Sequence, residues 1–241
     1  MIDWHSHVLP GMDDGSRSVE ESLAMLRALG ADGVSLVMAT PHFYANEESV
    51  DSFLERRQAC LDALLQAREE GMPEVRVGAE VKYYPGISKM KELDRLTVEG
   101  SRILLLEMPM TRWTEYTVKE LLSLAAARSL TVVLAHVDRY LGLQRRGTLE
   151  RLCEEGVLMQ VNAGSLESFS TRRRVLSLLD AGLVQFLGSD CHNLTTRPPR
   201  LAGAYRRISK KFGDRYIHEM AAFGHRILAR NTKQRDASAS P

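Results

Sequence analysis

The sequence predicts an α/β protein: a distorted (β/α)7 TIM-like barrel with a metal site at the C-terminal ends of its strands. Three observations predict it. Seven short apolar runs alternate with helix-patterned stretches, which implies parallel strands joined by crossover helices. Nearly every run ends on, or just before, a His, Asp or Glu, and the C-terminal strand ends are the working face of such barrels. No glycine-rich phosphate loop follows an early strand, as an open doubly wound sheet would require.

The runs, in order, are MIDWHSH (His5, His7), VSLVMATPH (His42), VRVGAE (Glu80), ILLLE (Glu107), TVVLAH (His136), LMQVNA (Asn162) and VQFLGSDCH (Asp190, His192). Most are rich in Val, Ile and Leu with little polar alternation, as strands covered on both faces are. Between the first two, Ser16 or Ser18 caps a helix with Glu20 and Glu21 in its first turn and Leu23, Leu26 and Leu29 following. Ser49 opens a longer helix with Phe53, Leu54, Leu61, Leu64 and Leu65 apolar, closed by Gly71. Residues 115–129 carry Val118, Leu121, Leu122, Leu124 and Ala125 on one face. Stretches 148–155 and 171–181 repeat the theme, stopped by Gly156 and Gly182, and 198–231 reads as two further helices. The domain is expected over 1–231; from 232 the chain is small and polar and is expected to be disordered.

Composition removes several function classes. With 32 basic and 31 acidic residues and a net charge of +1, nothing favours nucleic acid as a partner. No apolar run is long enough to insert in a membrane. The N-terminus does not read as a signal peptide. Three widely spaced cysteines, Cys60, Cys153 and Cys191, fit a reducing cytoplasm.

The strand-end residues form a ligand set. His5 and His7 are two apart on one strand, so alternation turns both imidazoles the same way. Asp190 and His192 repeat that spacing on the last strand, the neighbour of the first in a closed barrel. Glu80 and Glu107 end buried strands, where a carboxylate costs several kcal/mol unless it is paired or bound to metal. His42 and His136 complete the set, and one of Asp13 and Asp14 reaches back from the PGMDDG loop. A His/Asp/Glu set without cysteine suits manganese, iron or catalytic zinc. These ligands suffice for about three divalent ions, which leave net positive charge for a phosphate dianion and acidify water to near neutral pH. Arg139 and Arg197 follow ligand-bearing strand ends, and guanidinium forks match phosphoryl oxygens. Asp14, His42 or a water on the metal are candidates to protonate a leaving group.

The strings D-x-H-S-H, LPGMDDGS, ATPHF, GAEVKYYP, LLLEMP, LAHVDRY, QVNAGS and GSDCHN-x3-RPP, from residue 1 to about 230, resemble the polymerase-and-histidinol-phosphatase (PHP) superfamily. Within it they resemble the manganese-dependent protein-tyrosine phosphatases of bacterial capsule and exopolysaccharide operons. The resemblance implies a PHP-type barrel with a trinuclear centre on His5, His7, Asp14, His42, Glu80, Glu107, His136, Asp190 and His192, with Glu80 bridging. It implies phosphate contacts from Arg139 and Arg197. The implied substrate is a phosphotyrosine protein, the tail of a tyrosine autokinase that controls polysaccharide export. Three departures touch the motifs: Trp4, the Ala–Gly–Ser after Asn162, and Cys191.

Other readings compete. CHNLTTR (Cys191 to Arg197) is formally the C-x5-R of a cysteine phosphatase, though it lacks the glycine of a tight cradle. A small-molecule phosphatase, for instance of histidinol phosphate, would share the metal site. Tyr83, Tyr84, Phe43 and Trp113 are candidates to frame an aryl phosphate. An amidohydrolase would use Lys82 as its bridging ligand. A non-catalytic metal-stabilised module is the remaining possibility.

Overall fold

The computed structural model describes residues 1–127 and 130–238. Nine parallel strands and seven helices alternate through it: β1 (Ile2–Ser6), α1 (Val19–Ala31), β2 (Leu36–Ala39), β3 (His42–Phe43), α2 (Val50–Ala67), β4 (Glu74–Val77), β5 (Glu80–Lys82), β6 (Ile103–Glu107), α3 (Glu115–Ala127), β7 (Thr131–Leu134), α4 (Thr148–Glu154), β8 (Leu158–Asn162), α5 (Phe169–Asp180), β9 (Phe186–Gly188), α6 (Leu201–Phe212) and α7 (Asp214–Ser238). The second and third predicted strands are each split in two. Pro41 has no N–H to give, and the ladder is carried across the breaks by Gly78 N donating to Ala39 O (2.8 Å) and Glu80 N to Pro41 O (2.9 Å). One sheet runs β1-β2-β4 and the other β3-β5-β6-β7-β8-β9.

The caps follow the sequence with small shifts. Ser18 rather than Ser16 caps α1, and Ser49 caps α2. Helix α2 stops at Ala67, before Gly71, and Leu65 lies exposed. Helix α3 is described to Ala127; residues 128 and 129 of the expected span lie outside the described residues. The stretch expected as a tail from 232 is helical to Ser238, and 239–241 lie outside the described residues. No helix among the described residues is long and apolar enough to cross a membrane.

The sheet curls until its first and last strands meet. His7 N donates to Cys191 O (3.0 Å) and Asp190 N to His5 O (2.8 Å). Buried Asp3 clamps the junction, accepting from Ser189 N (2.7 Å) and Ser189 Oγ (2.6 Å). Burial pushes the Asp3 carboxyl up to about 6 against the pull of those hydrogen bonds. The pairing of β1 with β2 slips between Asp3 and Ser6. A bulge of this kind re-aims side chains. Ile2 and Trp4 lie in the inner apolar cluster, while His5, the next residue, already faces Glu80.

Two apolar layers result. The outward strand residues, such as Val37, Leu104, Leu106, Val132 and Leu187, pack under the helices. The inward set, Ile2, Trp4, Met38, Leu105, Val133 and Phe186, is sealed by Phe223, Ile227 and Leu228 of α7. Trp4 stacks on Phe186 (centroids 4.0 Å apart) and lies against Gly224, where a Cβ would come within 2.8 Å of its ring. The unexpected tryptophan thus fills the floor of the sheet beneath the site.

Gly188 supplies the room above that floor. A Cβ there would sit 2.6 Å from His5 Cβ and 2.7 Å from Gln160 Nε2. Gly188→Ala is expected to destabilise the protein by about 1–3 kcal/mol. A thermal melt reads this as a loss of roughly 2–9 °C in Tm for a chain of this size; an unchanged melt would show that β1 and β8 give way freely.

Candidate metal centre

All nine predicted ligands converge at the strand ends. Glu80 is the hub. Its Oε1 lies 2.7 Å from His136 Nε2, and its Oε2 lies 3.1 Å from His5 Nε2, 3.4 Å from His7 Nε2 and 3.0 Å from His42 Nδ1. Asp190 Oδ1 stands 3.7 and 3.5 Å from the two N-terminal histidines. Asp14 Oδ1 stands 3.4 Å from His42 Nε2 and 3.3 Å from His192 Nε2. Glu107 Oε1 is 3.7 Å from His136 Nε2. Three groups have ligand atoms mutually close enough for one ion: His7, Asp14, His42 and His192; His5, His7 and Asp190; His42, Glu80 and Glu107. His136 and Asp190 are the non-glycine residues with left-handed backbone among those described (φ 35° and 52°). Strained backbone of this sort concentrates at functional sites.

The donor atoms face one another as ligands do. Gln160 Oε1 accepts from His136 N (2.7 Å), which fixes it as the oxygen, so His5 Nδ1 at 3.3 Å must donate to it. His7 Nδ1 is held by Asp13 Oδ2 at 2.6 Å. The neutral tautomers therefore leave two Nε2 lone pairs 3.1 Å apart. Lone pairs so placed repel unless a cation lies between them. His192 Nδ1 is likewise turned to Asp190 O (3.0 Å), so Nε2 keeps its lone pair, which accepts from Arg197 Nη1 (2.7 Å). His42 Nδ1 and Glu80 Oε2 are buried 3.0 Å apart, yet neither has a partner in hydrogen-bond geometry. Orphaned buried polar atoms are costly, and divalent cations are the ligand they fit.

Without a cation, the same carboxylates favour a proton on the imidazoles, the positive charge that an ion would replace. Burial opposes charge throughout, yet Glu80 and Asp190 raise His5, and Asp13 with Asp190 and Glu80 raises His7 well above the ordinary imidazole value. Burial also pushes the acids up, but the histidines hold Glu80 well down, and His5, His7 and Arg139 do so for Asp190. Burial, with His7 and Arg197 nearby, pushes His192 down to about 4, leaving its ring neutral, the form a metal would need.

Arg139 and Arg197 meet at Asp190. Arg139 Nη2 hydrogen-bonds Oδ2, and Arg197 Nη2 lies 2.7 Å from Oδ1. Both line a cleft of about 340 Å³ with Asn162, Ser165, Thr171 and Arg200. The C-x5-R alternative fails here. Cys191 is fully buried, burial raises its thiol well above the usual range, and Asn193 Oδ1 accepts the backbone N–H groups of Thr195, Thr196 and Arg197 that a phosphate cradle would need.

The supporting roles of several residues go beyond the sequence reading. Asp13, neighbour of the predicted Asp14, orients His7 and accepts from His42 N (3.0 Å). Asn162 Nδ2 donates to Asp190 Oδ2 (2.6 Å), and Lys82 Nζ lies 2.8 Å from Glu107 Oε2. Gln160 and Asn162 were legible as an alternating polar pair in the apolar run LMQVN. The aromatics are mostly core. Phe43 packs on Phe53, Trp113 on Tyr140, and Tyr83 is tied to Glu120. Tyr84 lines a small cavity beside Lys82. Tyr44, not singled out in the sequence, stacks on His42 (centroids 5.5 Å apart).

Residues 1–228 match the family described as capsular polysaccharide synthesis, CpsB/CapC. The chain belongs to the CpsB/CapC family. Tyrosine-protein phosphatase CpsB of Streptococcus pneumoniae is 32% identical over 241 residues, covering 91% of this chain and 94% of its own length. Tyrosine-protein phosphatase YwqE of Bacillus subtilis is 28% identical over 242 residues, covering 96% of this chain and 93% of its own. A solved structure from work on YwqE and CpsB, described as unique metal-dependent tyrosine phosphatases, superposes with a TM-score of 0.82 at 26% identity, covering 96% of this chain and 95% of its own. The CpsB/CapC fold in this chain is accordingly a mixed α/β one with a curled parallel sheet.

Proposed function

We propose that this protein is a metal-dependent protein-tyrosine phosphatase acting on a phosphotyrosine protein in capsule or exopolysaccharide synthesis. The substrate we favour is a bacterial tyrosine autokinase, met in the cytoplasm. The observation that carries the reading is the gathering of five imidazoles and four carboxylates at one rim with Glu80 at its centre, flanked by two arginines, in a chain similar along nearly its whole length to tyrosine phosphatases. On this reading residues 1–231 form one PHP-type distorted barrel.

His5, His7, Asp14, His42, Glu80, Glu107, His136, Asp190 and His192 would hold the ions, with manganese, three ions in number, as the first choice. When bound, divalent ions supply Lewis acidity toward phosphoryl oxygens and acidify water. Arg139 and Arg197 grip the equatorial oxygens, already aimed by their shared contact with Asp190. Asn162 steadies Asp190 from the other side. Asp14, the most exposed of the nine at 65%, and His42 at 17% stand nearest solvent, and either would hand a proton to the tyrosyl oxygen.

The test is hydrolysis of a phosphotyrosine peptide after exhaustive chelation and again with manganese restored, beside histidinol phosphate. Loss and recovery on the peptide alone is expected. Turnover indifferent to chelation, with metal shown to be gone, overturns the reading; preference for histidinol phosphate moves the activity to a metabolite.

A further inference from the structure

The first turn of α5 separates two concavities. On one side is the cleft beside Arg139 and Arg197, with Thr171 in its wall. On the other is a groove of about 450 Å³ lined by Phe169, Arg172, Arg173, Leu176, Asp180 and Lys211. Phe169 is 87% exposed, the most exposed large apolar side chain among the described residues. The Arg172 guanidinium lies over its ring, 5.9 Å from the centroid, and Arg172 Nε is buried without a hydrogen-bond partner. Arg173 and Lys211 are exposed beside it, against one acid, Asp180.

An exposed phenylalanine beside three cations and one acid is an unusual surface for a chain of balanced charge. It offers an apolar contact and salt-bridge donors together, the pattern that takes an acidic segment bearing an apolar side chain. The α5 helix is roughly 10 Å across. An extended peptide advances about 3.3 Å per residue, so three or four residues carry it from the arginine cleft over the first turn into the groove.

We propose, resting on the phosphatase reading above, that this groove docks an acidic segment of the phosphoprotein substrate a few residues from its phosphotyrosine. Phe169, Arg173 and Lys211 then select among protein substrates without touching the reacting phosphate.

The test compares wild type with Phe169→Ala and with the double variant Arg173→Glu/Lys211→Glu. The substrates are p-nitrophenyl phosphate and two phosphotyrosine peptides of equal length, one with flanking Asp and Glu and one with Ser in their place. Turnover of p-nitrophenyl phosphate should be the same in all three proteins. Wild type should favour the acidic peptide about five- to tenfold in kcat/KM, the scale of two exposed ion pairs. Charge reversal should erase that preference through KM, and 0.5 M salt should weaken it. Equal use of both peptides by wild type, or a preference that survives charge reversal, overturns the proposal. Fluorescence anisotropy of the labelled, unphosphorylated acidic peptide reads the groove without catalysis. Binding lost on charge reversal supports it even if no phosphate ester is hydrolysed, a result that would sink only the phosphatase reading. A dimer dispersed by Phe169→Ala would assign the face to a second copy of the chain and also overturn the proposal.

Discussion

Glu80→Gln is expected to cost the enzyme its metal and about 10²–10⁴-fold in turnover. The substitution keeps the shape of the side chain and removes only its charge, at a fully buried point that faces four imidazoles. Removing one partner from a buried charged set costs about 3–5 kcal/mol, and roughly 1.4 kcal/mol is a factor of ten. Glutamine also brings an N–H₂ that would meet the His5 and His7 Nε2 atoms or the His136 ring, so one donor atom of the cluster is lost to a hydrogen bond. Elemental analysis of the purified variant beside wild type checks the first half of the expectation, and peptide turnover the second. A variant with full metal and ordinary rates would remove Glu80 from the centre of the proposed site.

Arg139→Ala should separate binding of metal from catalysis. Arg139 sits on Asp190 from outside the cluster, while Arg197 and Asn162 continue to hold that carboxylate. Metal content should therefore persist. Turnover should fall about 10²–10³-fold, the loss seen when one preorganised donor to a developing anion is removed. Arg139→Lys should recover little of it, because an ammonium cannot keep one arm on Asp190 and present another to the phosphoryl group. Unaltered kcat in the alanine variant would take Arg139 out of the mechanism.

Much of this centre was legible because two regularities act together. Strand alternation fixes which way His5 and His7 turn, and parallel strands deliver Glu107, His136 and Asp190 to one rim whatever the connecting helices do. What was not legible is what depends on local irregularity or on distant partners. The bulge between Asp3 and Ser6 lets Trp4 and His5 face the same interior, and no pattern in IDWHS announces it. Asp13 and Asp14 are adjacent and chemically alike. Only the loop's path makes Asp13 the residue that orients His7 and Asp14 the one that faces His42 and His192. The aromatics read wrongly for a related reason: Phe43 and Trp113 lie next to strand ends in sequence but turn outward into the layer beneath the helices.

The clamp of Asp3 on Ser189 joins groups 186 residues apart. Nothing local can rehearse such a contact, and long-range pairings are the slow step of folding. His5 and His7 are made early in synthesis, yet their partners Asp190 and His192 arrive only when four-fifths of the chain exists. A nascent chain therefore has His42, Glu80 and Glu107 by mid-synthesis, but the two groups that include Asp190 or His192 close only with the last strand. The free energy that cation capture contributes at those two groups belongs to the closed ring, so it raises the cooperativity of unfolding. In a cell short of the metal, the first symptom would be a shorter lifetime of the whole molecule, not a loosened corner of it.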